Sequence, residues 1–208
     1  MPLPVISKQA NFSTAVLNWF QGYGRKNLPW QFNPNPYRVW ISEIMLQQTQ
    51  VATVIPYYKK FMQSFPEIKK LALANEDSVL HHWTGLGYYA RARNLHKTAK
   101  LIYLQRQGVF PTVLEELVDL PGIGRSTAGA ILALASNQYA VILDGNVKRV
   151  LSRYHCVKGW SGQSSTQKKL WRLAERHTPT KNCRSYTKAM MDLGATLCTR
   201  TKPSCLVC

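Results

Sequence analysis

Acidic residues are scarce in this chain: ten Asp and Glu stand against twenty-seven Lys and Arg, for a formal net charge of +17. Such an excess attracts polyanions and speeds encounters with them, while saying nothing about the fold. Long apolar runs are missing as well. No stretch approaches the length needed to span a bilayer, and the opening MPLPVISKQANFSTAV lacks the charged-then-apolar layout of a secretory leader. Low-complexity and disorder-like tracts are absent, and no internal period is visible. These absences lead us to expect an intracellular, soluble, globular protein.

What is present narrows the partner. The basic residues are interleaved with aromatics, as in Tyr88, Tyr89, Arg91, Arg93 and Lys97, rather than gathered in a tail. Nucleic acid is the commonest partner of that arrangement, with a ribosomal or merely solubilising charge as the alternative. At 208 residues the chain suffices for one large helical domain or two small ones sharing a cleft.

Periodicity predicts an all-α chain. Between Pro36 and Gln50 the residues Tyr37, Trp40, Ile41, Ile44 and Met45 follow helical spacing, with Pro36 suited to a first turn. Further helices are expected near 12–22, 51–64, 76–83, 88–107, 113–119, 125–135, 146–155, 166–177 and 184–197. Turn signals separate them: Pro66, Gly85 with Gly87, Gly108, Pro121-Gly122, Asn137 and Gly159–Gly162. Tyr139–Leu143 reads as a short extended piece or a loop. Trp40, Trp83, Trp160 and Trp171 are expected in the core. His81-His82 reads as part of an amphipathic helix.

Three constellations carry chemistry. The first is Leu120-Pro121-Gly122-Ile123-Gly124-Arg125-Ser126-Thr127-Ala128-Gly129, lying between two predicted helices as in a helix-hairpin-helix. Gly122 and Gly124 let backbone approach a ligand, and the first amides of the following helix suit a phosphate. An ordinary glycine turn is the plainer reading. The second is a pair of carboxylates. Glu43 lies off the apolar face of its helix, in a polar stripe with Gln47 and Gln50; Asp144 follows Ala140–Leu143 and would cap the helix near Asn146. Solvent exposure and capping explain both without catalysis, and spacing alone does not bring them together. The third is Cys198-x6-Cys205-x2-Cys208, whose spacing suits an iron–sulfur cluster or zinc, both of which take four ligands. Free thiols are the alternative.

Together the blocks Leu28-Pro29-Trp30, Ser42–Val51, Trp83–Leu95, Leu120–Ala130, Leu143–Val150 and Met190–Cys198 resemble the MutY-type adenine DNA glycosylases of the helix-hairpin-helix (endonuclease III) superfamily. The resemblance implies two helical lobes: a six-helix barrel with the hairpin over 30–137, and an iron–sulfur cluster lobe formed by 1–29 with 138–208. It further implies DNA binding across the groove between lobes, with adenine flipped into a pocket. Glu43 would be the general acid, Asp144 the ionised partner of the sugar cation, and Asn146 its orienting neighbour. Gln48 and Tyr88 would wedge the duplex, with Thr49 beside them; Trp30 and Leu86 would line the pocket; Gly122, Gly124 and Ser126 would hold backbone. Cys198, Cys205 and Cys208 would be three ligands of a 4Fe–4S cluster.

The implied substrate is double-stranded DNA carrying adenine opposite 8-oxoguanine or guanine, acted on by a cytoplasmic, nucleoid-associated bacterial monomer. Ser126 stands where the endonuclease III branch carries a lysine, so a Schiff base is excluded there and a monofunctional glycosylase is expected. Two departures from the pattern stand out. Lys188 replaces an acid or amide, and the resemblance would place the fourth cluster cysteine, and the C-terminal domain that helps recognise 8-oxoguanine, beyond Cys208. A non-catalytic DNA-binding fragment and a bifunctional lyase are the rival readings.

Overall fold

The computed structural model describes residues 11–208; the leader-free reading of the first ten residues lies outside them. The described chain is all-helical and divides into two compact units, Lys26–Ile142 and the residues up to Arg25 with Leu143–Cys208.

In the Lys26–Ile142 unit a 3-10 turn, Pro29–Gln31, precedes α2 (Pro36–Leu46), α3 (Val51–Ser64), α4 (Ile68–Ala72), α5 (Glu76–Trp83), α6 (Ala90–Arg106), α7 (Leu114–Val118) and α8 (Arg125–Ser136). The starts follow side-chain chemistry. Asn35 accepts from the Arg38 amide at 2.9 Å with Pro36 in the first turn. Asn75 accepts from Asp77, and Glu76 and Asp77 complement the positive end of α5. Left-handed Gln107 and Asn137 close α6 and α8. All five apolar positions expected on α2 are buried, with Trp40, Ile41 and Met45 fully enclosed, as are Phe61, Trp83, Ile102 and Ile131 of the same unit. Trp40 meets Phe110 edge-on at 5.5 Å.

The other unit holds α1 (Phe12–Tyr23), α9 (Gly145–Tyr154), α10 (Ser164–His177) and α11 (Cys183–Thr196). Helices α1 and α9 both pack on α11. Buried Asp192 of α11 accepts the Arg25 amide at 2.7 Å and pairs with its guanidinium.

Three expectations change. The first helix of the Lys26–Ile142 unit stops at Leu46 rather than Gln50, so Gln47 and Gln50 do not continue the Glu43 stripe: Gln47 leaves helical geometry and Gln50 caps α3. Helix α4 was not expected; its five residues are too few for a periodic signal, and Pro66 reads as a separator. Of the two readings of Tyr139–Leu143, the structure has the loop. Trp160 is 77% exposed: the chain turns outward between Gly159 and Gly162, and its ring lies over Gly162 instead of entering the core. Trp171 is half-buried, whereas Trp40 and Trp83 are fully enclosed. No described helix is long and apolar enough to cross a membrane.

Candidate functional site

Asp144 is the N-cap of α9. Its Oδ1 accepts from the Val147 amide at 2.9 Å and its Oδ2 from the Asn146 side-chain amide at 3.2 Å. The cap therefore comes with a second, non-capping donor. Asn146 is itself fixed, because Arg149 donates to its Oδ1 at 2.7 Å. Arg149 also reaches the carbonyls of Gly194 and Cys198, so one guanidinium ties the start of α9 to α11 and to the cysteine segment. Gly194 permits the approach: a Cβ there would lie 2.5 Å from the Asn146 Cβ and 2.9 Å from its Cα. Desolvation pushes the Asp144 carboxyl above the usual carboxylate range, opposed by the Val147 and Asn146 donors and the Arg149 charge. A carboxylate so placed is a half-buried, oriented acceptor, able to face a developing cation.

In the other unit Glu43 lies on α2, half-buried, between buried Ser42 and Ile44. The residue that organises its surroundings is one that sequence reasoning counted only as a basic charge. Arg91 donates to the carbonyls of Ile44 at 3.0 Å, Met45 at 2.9 Å and Gln47, to Thr49 Oγ1 at 3.3 Å, and to Leu86 and Gly87 at 3.1 and 3.2 Å. Its guanidinium also stands 5.4 Å from the Trp83 ring centre and 5.5 Å from that of Tyr88. It caps the Glu43 helix, which has no basic residue of its own in its last turn. A helix ending without glycine or a cation was the available signal.

Arg91 thereby brings together three of the expected DNA-facing positions. Thr49 and the Leu86 carbonyl bind it and the Tyr88 ring stacks near it, whereas exposed Gln48 occupies the adjoining turn. Gln48 and Tyr88 both hold positive φ, 57° and 50°, a strained choice for side chains that points to a positional role. Tyr88 is 61% exposed. Trp30 and Leu86 are buried, Trp30 edge-on to Tyr58 at 5.5 Å.

Helices α7 and α8 enclose the glycine turn. Ile123 plugs the core, the Pro121 carbonyl accepts from Thr98 of α6 at 2.9 Å, and Gly122 sits at φ 80° with Asn94 close by. Gly124 caps α8 with no side chain, and a Cβ added there meets nothing within 4 Å. The first turn of α8, with half-buried Ser126, thus opens onto a bare backbone face. Unpaired amides at such a helix start are able to take an oxyanion.

Cys205 and Cys208 are exposed and Cys198 half-buried, with Arg153 donating to the Cys198 sulfur at 3.2 Å. Burial pushes the Cys208 thiol up, and then so do Cys198 and Cys205, which places three sulfurs within electrostatic reach of one another. No three metal-ligating side chains converge at coordination distance among the described residues, and no chemistry below runs through a cluster. Lys188 is half-buried on α11; burial and then the Arg184 charge pull its ammonium below the ordinary lysine value.

An all-helical chain whose glycine hairpin opens a helix N-terminus defines a helix-hairpin-helix protein. The chain belongs to the HhH-GPD superfamily of base excision DNA repair proteins, whose signature matches residues 41–176. It is 51% identical over 197 residues to the adenine DNA glycosylase of Buchnera aphidicola (Acyrthosiphon pisum), covering 95% of this chain and 56% of that protein. The human adenine DNA glycosylase is 38% identical, over 98% of this chain and 39% of that one. The chain thus spans about half the length of the curated relatives it matches. A thermostable thymine-DNA glycosylase superposes with TM-score 0.85 at 28% identity, covering 95% of this chain and 90% of that one. An endonuclease III in a non-covalent DNA complex shares the fold, at TM-score 0.79 and 21% identity over 94% and 88%.

Proposed function

We propose that this chain is the catalytic part of a monofunctional DNA glycosylase that hydrolyses the bond between adenine and deoxyribose, with adenine opposite 8-oxoguanine or guanine as substrate. The observation that carries the reading is the half-buried Asp144 carboxylate, held by two N–H donors. The level of identity to adenine glycosylases supports the choice of base.

Bond cleavage leaves a cationic sugar and an anionic purine unless the purine is protonated. Glu43 gives the ring its proton and then takes one from the attacking water. Asp144 stays negative against the sugar carbon, and Asn146 with Arg149 holds its orientation. This division matches that of two-carboxylate glycosidases. Gln48 and Tyr88 fill the space left by the everted nucleotide, Thr49 supports that turn, and Trp30 with Leu86 borders the base. Gly122, Gly124 and Ser126 take the phosphate backbone. Cys198, Cys205 and Cys208 supply three ligands of a 4Fe–4S cluster, which iron and sulfide analysis tests. The protein acts as a cytoplasmic monomer on duplex DNA.

The enzymatic experiment is single-turnover incubation with a duplex carrying adenine opposite 8-oxoguanine. Cut strand should appear only after alkali, and borohydride should trap no covalent adduct, since the Ser126 hydroxyl cannot form an imine. Salt-dependent binding without base release would instead leave a binding module. The hairpin gives a second expectation. Gly124→Ala should lower stability by only about 0.5 kcal/mol, the cost of alanine at an N-cap, since the added methyl meets no protein atom, but weaken duplex binding about tenfold. Gly122→Ala, at φ 80° and against Asn94, should lower stability by about 1 kcal/mol as well.

A further inference from the structure

One cleft in the Lys26–Ile142 unit is not used by the chemistry above. It encloses about 280 Å³ and is lined by Glu76, Arg93, Asn94, His96, Lys97 and Lys100. Three cations therefore face one carboxylate, and Glu76 is only loosely engaged, 3.8 Å from Arg93 at an exposed pair. Within this cleft lies His96, 1% exposed, whose Nε2 has no hydrogen-bond partner among the described residues. A buried, unpartnered ring nitrogen normally costs stability and calls for an explanation.

We propose that this face of α6 is a binding site for a phosphoryl oxyanion, in which His96 Nε2, once protonated from solvent, donates to the bound anion between Arg93, Lys97 and Lys100. The tautomer supports this. The Ala74 carbonyl accepts from the ring, and with Nε2 unpartnered that hydrogen is the one on Nδ1. Neutral His96 therefore carries a buried, unpartnered lone pair on Nε2 at the wall of the cleft, and only the imidazolium carries a donor there. In the empty cleft, burial first and then Lys100 hold the ring below its ordinary value, against the Ala74 carbonyl and Glu76. Of the charged groups on α4, α5 and α6, Lys100 and Glu76 are those that act on it. An anion in the cleft reverses the effect of Lys100, so anion and proton bind together.

The position suggests why such a site exists. Asn94 and Thr98 of the same helix brace the hairpin turn at Gly122 and Pro121, so the cleft borders that turn. Two sources offer the same chemistry: a phosphodiester of the bound duplex, or a free phosphate ester. Only the first rests on the proposed function.

The test is NMR titration of the His96 ring with sulfate, which does not itself titrate between pH 5.5 and 7.5. Saturating sulfate should raise the His96 midpoint by about one pH unit, and sulfate should bind about tenfold more tightly at the acid end, because the two effects are reciprocal. Lys97→Gln and Lys100→Gln, both at exposed positions, should keep the melting temperature and lose that response. A His96 midpoint indifferent to sulfate, or an undiminished shift in both lysine variants, would overturn the site. Duplex binding then identifies the source. A salt slope smaller by about 1 in Lys100→Gln supports the phosphodiester; an unchanged slope with the sulfate response lost supports a free ester. The sulfate response does not depend on base release, so the site and the glycosylase reading fail separately.

Discussion

Asp144→Asn is expected to cut single-turnover adenine release by about 10³-fold while leaving the chain at least as stable at neutral pH. The two effects separate because Asn caps helices as well as Asp does. Its amide oxygen accepts from Val147, so α9 keeps its start. What disappears is the charge. Burial raises the folded Asp144 value above that of the unfolded chain, so the sign of the linkage is fixed. Its contribution to stability is present below the unfolded value and is lost as pH rises through the folded one. Above the folded value the wild-type chain therefore bears a partly desolvated carboxylate that the Asn variant lacks. Melting curves should place the variant level with or above wild type at pH 7, with wild type gaining ground on acidification. Activity should run the other way, falling as pH drops through the raised value and the carboxylate takes a proton. A variant that melts much lower than wild type would make Asp144 a structural cap first.

The second large effect is expected at Arg91. Replacing it with Met keeps the length of the side chain but removes every donor to Ile44, Met45, Gln47, Leu86 and Gly87. Charged hydrogen bonds are worth roughly 1.5–3 kcal/mol each where a buried acceptor is left behind, and the carbonyls at the end of α2 have no basic neighbour in that turn to replace them. A loss of about 3 kcal/mol in urea or thermal unfolding is expected. Base release should fall as well, since the Gln48 and Tyr88 turns hang on the same guanidinium. Arg91→Lys should recover only part of both, because one ammonium lacks the planar fork that serves several carbonyls at once. Full recovery by lysine would show that charge alone, and not the fork, holds these turns.

Much of this was written in the sequence. The periodic apolar positions of α2, Pro36 in its first turn and the capping role of Asp144 each follow from local chemistry, and each stands in the structure. The hairpin was legible for the same reason, since Gly122 and Gly124 flank an apolar anchor, Ile123, at a helix start. Long-range contacts were not. Arg91 serves carbonyls more than forty positions away in the chain, and nothing near it marks it apart from Arg93. The Gly194–Asn146 approach is likewise invisible until α9 and α11 are packed. Trp160 misled because size suggests burial, whereas the two glycines around it turn the chain outward. The Asn146–Arg149 support of Asp144 needed only helical spacing, yet its further reach to Gly194 and Cys198 needed the fold.

The most direct check on the account is a kinetic cycle on a duplex with adenine opposite 8-oxoguanine, comparing wild type, Glu43→Gln, Asp144→Asn and the double variant. Residues that act as a unit are strongly non-additive. Each single change should cut base release by about 10³-fold, and the double change should cost little more than the worse single one. Wild-type rates in Glu43→Gln, or losses that simply multiply, would contradict a mechanism in which one carboxyl delivers the proton and the other faces the sugar.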